Sequence, residues 1–171
     1  MSQVVLIGPP GSGKSTIGRA LAKSLTMTFV DTDSFVEKRS GKKISDIFVD
    51  DGEDAFRDLE FAALSQCLID SHGVISLGGG APVSERAQTL LHQAQIPIVF
   101  LDISLSVAAP RVGFNRDRPL LLGNPRAQWQ ALYEIRRPIY SRLATITVKV
   151  DSMTTDQIVQ EILKGLEIEK H

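Results

Sequence analysis

A single cysteine, Cys67, leaves no partner for an intramolecular disulfide, and no apolar run approaches the ~18 residues that a membrane-crossing helix needs. An excess of either charge is missing as well: the formal net charge is −1, so nothing global argues for nucleic acid or a membrane surface as a partner. An apolar strand begins within three residues of Met1, which leaves no room for a secretory leader, and the expectation is a cytoplasmic protein. Internal repeats, low-complexity tracts and linkers are absent too, so the 171 residues read as one domain spanning residues 1–171, with a monomer expected at this size. Cys67 lies in the apolar stretch Leu64-Ser65-Gln66-Cys67-Leu68-Ile69 and reads as a small buried thiol, because no neighbouring residue lowers its pKa.

What is present begins at residue 8. Gly-Pro-Pro-Gly-Ser-Gly-Lys-Ser-Thr, residues 8 to 16, follows the apolar run Val4-Val5-Leu6-Ile7 and matches the loop G-x-x-x-x-G-K-[ST] that cradles a nucleoside triphosphate. Gly8, Gly11 and Gly13 let backbone N–H groups turn inward around phosphate, and Lys14 reaches the β- and γ-phosphates. The Ser15 hydroxyl suits Mg²⁺, and a helix opening at this point aims its positive end at the anion.

Further apolar runs fall at Thr28 to Val30, Val74 to Leu77, Ile98 to Leu101 and Ile146 to Val150. Between them, residues 15–25, 53–71 and 157–166 carry apolar side chains at helical spacing. Alternation of this kind predicts an α/β fold with a parallel sheet covered on both faces and ligand sites at the carboxyl ends of the strands. One segment breaks the alternation. From about residue 112 to 126, glycine, asparagine and proline flank arginines and three leucines, as expected of a mobile lid over an active site.

Three constellations lie after the strands. Asp31-Thr32-Asp33 follows the second run; alternation along an extended chain sends the two carboxylates to one side, although the triplet also suits a helix N-cap. Gly78-Gly79-Gly80 follows the third, where three glycines imply a close backbone approach to a ligand or an unusual turn. Charge is uneven: residues 111 to 142 hold seven arginines, two acids and no lysine, which favours two-point gripping of phosphate or carboxylate. Arg126 and Arg142 read as solvated surface. Taken alone, Arg57 with Glu60 at i+3 reads as a surface salt bridge, and Arg136 as an exposed helical arginine. Trp129 reads as a packing residue.

The phosphate loop, Asp31-Thr32-Asp33, Phe56-Arg57-x-x-Glu60, Gly78-Gly79-Gly80, Arg118-Pro119-Leu120-Leu121 and Arg136-x-Pro138-x-Tyr140, in this order, resemble the shikimate kinase family. That resemblance implies a P-loop kinase related to the nucleoside monophosphate kinases, with a five-stranded parallel sheet, a substrate-binding helical region at about 32–60 and a lid at about 112–126. The implied reaction moves the γ-phosphoryl of ATP, with Mg²⁺, to the 3-hydroxyl of shikimate, in chorismate and aromatic amino acid biosynthesis. Gly11, Ser12, Gly13, Lys14, Ser15 and Thr16 would hold the phosphates, Ser15 and a water on Asp31 the metal, and Arg111 the adenine face. Asp33 would be the base, Arg57 and Arg136 would clamp the shikimate carboxylate, Gly79 and Gly80 would meet the ring hydroxyls, and Arg118 would close on the phosphates. The sequence departs from the family at Asp151 to Asp156, which lacks the arginine and proline many relatives use at the adenine, and in the lid, which adds Arg116 and Leu122. A kinase for another polyol acid such as gluconate, and a nucleotide-binding module without catalysis, are the alternatives; the paired arginines and glycine triplet favour shikimate over the first, and the presence of Lys14, Ser15, Asp33 and Arg118 weighs against the second.

Overall fold

Strand β1, Val4–Ile7, is four β-formers with every side chain out of solvent, as the centre of a sheet covered on both faces requires. The computed structural model describes residues 3–112 and 124–169. Within them β1 is joined by β2 (Phe29–Asp31), β3 (Val74–Ser76), β4 (Ile98–Asp102) and β5 (Ile146–Lys149) in a parallel sheet of order β2-β3-β1-β4-β5. Each strand begins and ends within one residue of the expected run. Register pairs Leu6 with Ser76 on one side and Val99 on the other, so β1 and β3 end within a residue of each other while β4 runs two residues further, to Asp102. The chain builds outward from β1 first toward β2 and then toward β5, and the reversal opens a crevice above β1. The edge strand β5 keeps Val148 inward and Lys149 outward, a charged edge that discourages further pairing.

Eight helices flank the sheet among the described residues: α1 (Lys14–Leu25), α2 (Thr32–Ser40), α3 (Ile44–Asp51), α4 (Glu53–Asp70), α5 (Glu85–Ala94), α6 (Leu105–Val112), α7 (Pro125–Leu143) and α8 (Thr155–Glu169). Helices α1 and α8 pack together on the sheet, and α5 and α7 meet each other, with α7 reaching β4. Their apolar faces share one core with the strands, in which Leu21, Leu91, Phe100, Tyr140 and Ile162 are buried. Helices α2, α3 and α4 have a small core of their own, built from Val36, Ile44, Ile47, Phe56 and Ala63, with the Phe48 and Phe56 rings 4.8 Å apart. This second cluster makes the region at 32–60 a semi-independent wall of the crevice. Glu37 of α2 reinforces it by accepting the first N–H of α3, from Ile44, at 3.0 Å. Cys67 is buried, and burial lifts its thiol pKa to about 11, so the expectation of an inert thiol holds.

Most of the segment expected to form the lid, residues 113–123 with Arg116, Arg118 and Leu122, lies outside the described residues. The helices on either side, α6 and α7, end and begin at its margins.

Candidate active site

The loop after β1 turns through Gly11 at φ 85° and Gly13 at φ 91°, both left-handed values that an L side chain resists. Gly13 is the residue at which α1 starts, and its carbonyl accepts the first helical bond from Ile17 at 2.8 Å. The orphan N–H groups of the first turn therefore face the crevice together with the positive end of the helix. Lys14 folds back over the loop, its Nζ donating to the carbonyls of Gly8 at 2.8 Å and Pro9 at 3.0 Å. The cavity above the loop, about 440 Å³, is lined by Lys14, Ser15, Asp31, Asp33, Gly79 and Arg111 among others. Arg111, at the end of α6, leans on the loop with its Nη1 donating to the Gly11 carbonyl at 3.4 Å.

All three residues of Asp31-Thr32-Asp33 are used, but not by alternation along a strand. β2 ends at Asp31 and α2 begins at Thr32, so the two carboxylates face different neighbours. Asp31 divides its oxygens: Oδ1 caps α2 by accepting the N–H of Asp33 at 2.8 Å and of Ser34 at 3.3 Å, while Oδ2 accepts the Ser15 hydroxyl at 2.8 Å. One residue thus serves as helix cap and as partner of the phosphate-loop serine. Thr32, fully buried, accepts the Gly78 N–H at 3.1 Å and ties the start of α2 to the glycine triplet. Asp33 projects from the first turn of α2 to that triplet.

The triplet itself has no positive φ, so turn geometry does not explain it. Crowding does. A methyl group on Gly78 would lie 2.5 Å from Asp33 Oδ1; on Gly79 it would lie 3.1 Å from Pro10 Cδ and 3.5 Å from Arg136 Nη1; on Gly80 it would run into the Arg57 guanidinium, 2.8 Å from its Cζ. Three consecutive glycines carry three polar side chains, from α2, α7 and α4 in turn, pressed flat on the backbone. The sequence reading is a close approach to a ligand or an unusual turn; the groups that closely approach here are the protein's own Asp33, Pro10 and Arg57, with Arg136 in contact beside Gly79.

Arg57 is half-buried rather than on the open surface. Its Nη1 donates to Glu60 Oε1 at 2.8 Å and Nη2 lies 3.5 Å from Glu53 Oε1, while Glu60 is 4% exposed. The i, i+3 pair corrects the surface salt-bridge expectation: α4 turns this face toward α7 and the triplet rather than toward solvent. Burial pushes the Glu60 carboxyl pKa up, and the Arg57 guanidinium opposes that shift; Asp33 and Arg136 are close enough to act on it too. Glu60 thus pairs with Arg57 and lies within electrostatic reach of Asp33 and Arg136. Arg126 and Arg142, by contrast, lie exposed as expected.

Sequence reasoning missed what holds the acceptor side together. Tyr140 is fully buried and its hydroxyl donates to the Gly79 carbonyl at 2.5 Å, with burial raising its pKa to about 12 against the opposing charge of Arg136. Asp102, at the end of β4, accepts from Tyr133 and from Arg137, whose Nη2 is 2.7 Å away. Trp129 packs as expected and also donates its indole N–H to the Pro10 carbonyl at 3.0 Å. The signal available was the spacing of Trp129, Tyr133, Arg137 and Tyr140 on one helical face.

Comparison with known proteins agrees with this geometry. The shikimate kinase family model matches residues 10–167. A shikimate kinase from Thermobifida fusca is 49% identical over 162 residues, covering 95% of this chain and 93% of that protein. The solved structure of the shikimate kinase from Acinetobacter baumannii in complex with shikimate superposes with a TM-score of 0.94 at 31% identity, covering 99% of this chain and 95% of that one. A gluconokinase from Sinorhizobium meliloti is also similar, with a TM-score of 0.57, but at 20% identity the likeness is one of fold alone. A P-loop whose serine is paired to an aspartate, a second acid, two arginines on a crowded glycine triplet and these near full-length matches have one reading in common: the chain belongs to the shikimate kinase family.

Proposed function

We propose that this crevice transfers the γ-phosphoryl group of ATP to the 3-hydroxyl of shikimate, giving shikimate 3-phosphate and ADP in aromatic amino acid biosynthesis. The observation that carries the reading is the gathering of Asp33, Arg136 and Arg57 on Gly78, Gly79 and Gly80 beside the phosphate loop. Two guanidiniums on one backbone patch suit a single small carboxylate, gripped from two sides, and Gly79 and Gly80 leave the ring next to main-chain N–H groups. The hydroxyl then faces Asp33, which accepts its proton as the new oxygen–phosphorus bond forms and the bond from Pγ to the ADP oxygen breaks.

On the donor side the N–H groups of Gly11 to Thr16 surround the phosphates, and Lys14 exchanges its loop carbonyls for β- and γ-oxygens. Mg²⁺, when bound with the nucleotide, neutralises charge on those oxygens. The residues fit such an ion: Ser15 offers a hard oxygen already paired to Asp31, which would hold it through water. Among the described residues no group of three or more His, Cys, Asp or Glu converges on one point, in keeping with an ion carried mainly by phosphate and water. Arg111 is assigned to the adenine face. Arg118, outside the described residues, is assigned to the transferring phosphoryl on the family resemblance, with the lid and the 32–60 region as parts of one domain. No helix of the described residues is long and apolar enough to cross a membrane, and we place the enzyme in the cytoplasm as a monomer.

A coupled assay of ADP release with shikimate or gluconate as acceptor tests the reading. Turnover with shikimate and none with gluconate is expected; the reverse pattern refutes it, and tight ATP binding without ADP release would make the chain a binding module.

A further inference from the structure

Helix α7 touches both halves of the crevice with one face. Trp129, Tyr133, Arg137 and Tyr140 stand at i, i+4, i+8 and i+11, so they line up along one side. At one end Trp129, 2% exposed, donates its indole N–H to the Pro10 carbonyl of the phosphate loop at 3.0 Å. At the other end Tyr140 donates to the Gly79 carbonyl at 2.5 Å. In the middle Tyr133 and Arg137 are fixed on Asp102. The circuit closes on the far side, where Pro10 Cδ lies 3.1 Å from the position of a Cβ on Gly79. Donor loop, acceptor triplet and α7 thus form a ring of contacts, and Arg136 projects from the helix within it.

The Trp129 contact bears on chemistry through peptide geometry. No cis peptide occurs among the described residues, so the Pro10–Gly11 unit is trans, and its carbonyl and N–H point in opposite directions. A carbonyl held on Trp129 fixes where the Gly11 N–H points. Trp129 does not line the 440 Å³ cavity above the loop; it stands behind it. Its ring is wedged against Tyr133, centroids 5.0 Å apart, so the indole is held in place from the side as well.

We propose that Trp129 is a positioning residue for phosphoryl transfer: its hydrogen bond to Pro10 locks the phosphate loop to the helix that carries the acceptor clamp, setting the spacing between phosphoryl donor and hydroxyl acceptor. The inference rests on the kinase reading above. It predicts a loss in the rate of the chemical step, with the acceptor clamp itself intact.

Because Trp129 is the chain's single tryptophan, replacing all tryptophan with β-(3-benzothienyl)alanine, in which sulfur stands for the indole N–H, alters this one bond. The single-turnover rate at saturating ATP and shikimate should fall about tenfold, since sub-ångström misplacement of reacting groups is costly, while KM for shikimate stays within about twofold. A single-turnover rate within twofold of the native enzyme overturns the proposal. So does a loss that vanishes once rates are scaled to active sites counted by shikimate titration. Trp129→Phe, which keeps a ring against Tyr133 and lacks the N–H, should show the same rate loss; native rate in that variant is equally fatal. Unmodified enzyme in the same assay tests the shikimate assignment separately, because failure there shows as absent turnover before any variant is compared.

Discussion

Adding one methyl group at Gly80 should cost shikimate affinity and leave ATP binding alone. The methyl would run into Arg57 Nη1 and sit 2.8 Å from its Cζ, where ordinary contact begins at 3.4 Å, so the guanidinium must retreat by about 1.1 Å. The backbone can keep its place, because Gly80 has no positive φ and the obstacle is the end of a side chain. Arg57 is restrained from retreating freely by Glu60 at 2.8 Å and Glu53 at 3.5 Å, so the clamp is displaced from the ligand rather than rearranged around it. Losing one charge-assisted hydrogen bond to the carboxylate costs about 1.5–3 kcal/mol, which is about a 10- to 100-fold rise in the shikimate dissociation constant. Isothermal titration of Gly80→Ala with shikimate, and separately with an ATP analogue, measures both arms. The decisive comparison is a double-mutant cycle with Arg57→Ala: if the methyl acts by moving Arg57, Gly80→Ala has little further effect once Arg57 is gone. Undiminished shikimate binding in Gly80→Ala, or full additivity with Arg57→Ala, would refute the crowding argument.

Asp33→Asn should abolish most turnover with ATP affinity nearly unchanged, read by coupled assay and nucleotide titration; native turnover removes Asp33 as the base. Arg136→Lys replaces a fork with a point charge and should raise KM for shikimate far more than KM for ATP; an unchanged shikimate KM removes Arg136 from the clamp. Burial raises the Asp102 pKa, but Arg137 and Tyr133 more than offset this and hold it below its ordinary 3.8. The folded state therefore binds this proton less readily than the unfolded one, and the stabilisation is present above about 3.8 and lost as pH falls through the folded pKa. Urea melts of Asp102→Asn should lie below native at neutral pH, with the gap closing below pH 3.8; a gap constant with pH contradicts the assignment. Thr26 closes α1 at φ 54°, costly for a β-branched residue, and Thr26→Gly should raise stability by about 0.5–1 kcal/mol, visible as a higher melting temperature.

The strands were legible because each is a short apolar run, and the three central ones, β1, β3 and β4, are buried on both faces, a pattern with few competitors in a chain of this composition. The phosphate loop was legible because Gly11, Gly13, Lys14 and Ser15 each answer a separate need within nine residues. Arg57 and Arg136 were not legible on their own. An arginine beside an acid at i, i+3 looks the same in sequence whether the helix face meets water or a second helix, and only the family resemblance picked these two out. Glu60 illustrates the gap: it is buried on a face of α4 that lines a cavity shared with Gly80 and Arg136, a tertiary fact with no local signature. The geometric reason that singles out Asp31 and Asp33 is one the chain does not use, since β2 ends two residues short of Asp33 and alternation does not apply.

On the proposed reading, that early ending lets one tripeptide serve both substrates. Had the strand continued through Asp33, both carboxylates would have pointed the same way and competed for the same cation. The switch to helix at Thr32 turns Asp33 toward the glycine triplet while Asp31 stays with Ser15. Thr32, between them, is bonded to Gly78 and makes the turn rigid. On the proposed reading, the acid assigned to the metal and the acid assigned to the acceptor are two residues apart in sequence but belong to different half-sites. The boundary between them is a helix N-cap supplied by Asp31 itself. Cap and catalysis are one arrangement here: removing the Asp31 carboxylate loosens the first turn of α2 and with it the direction in which Asp33 points.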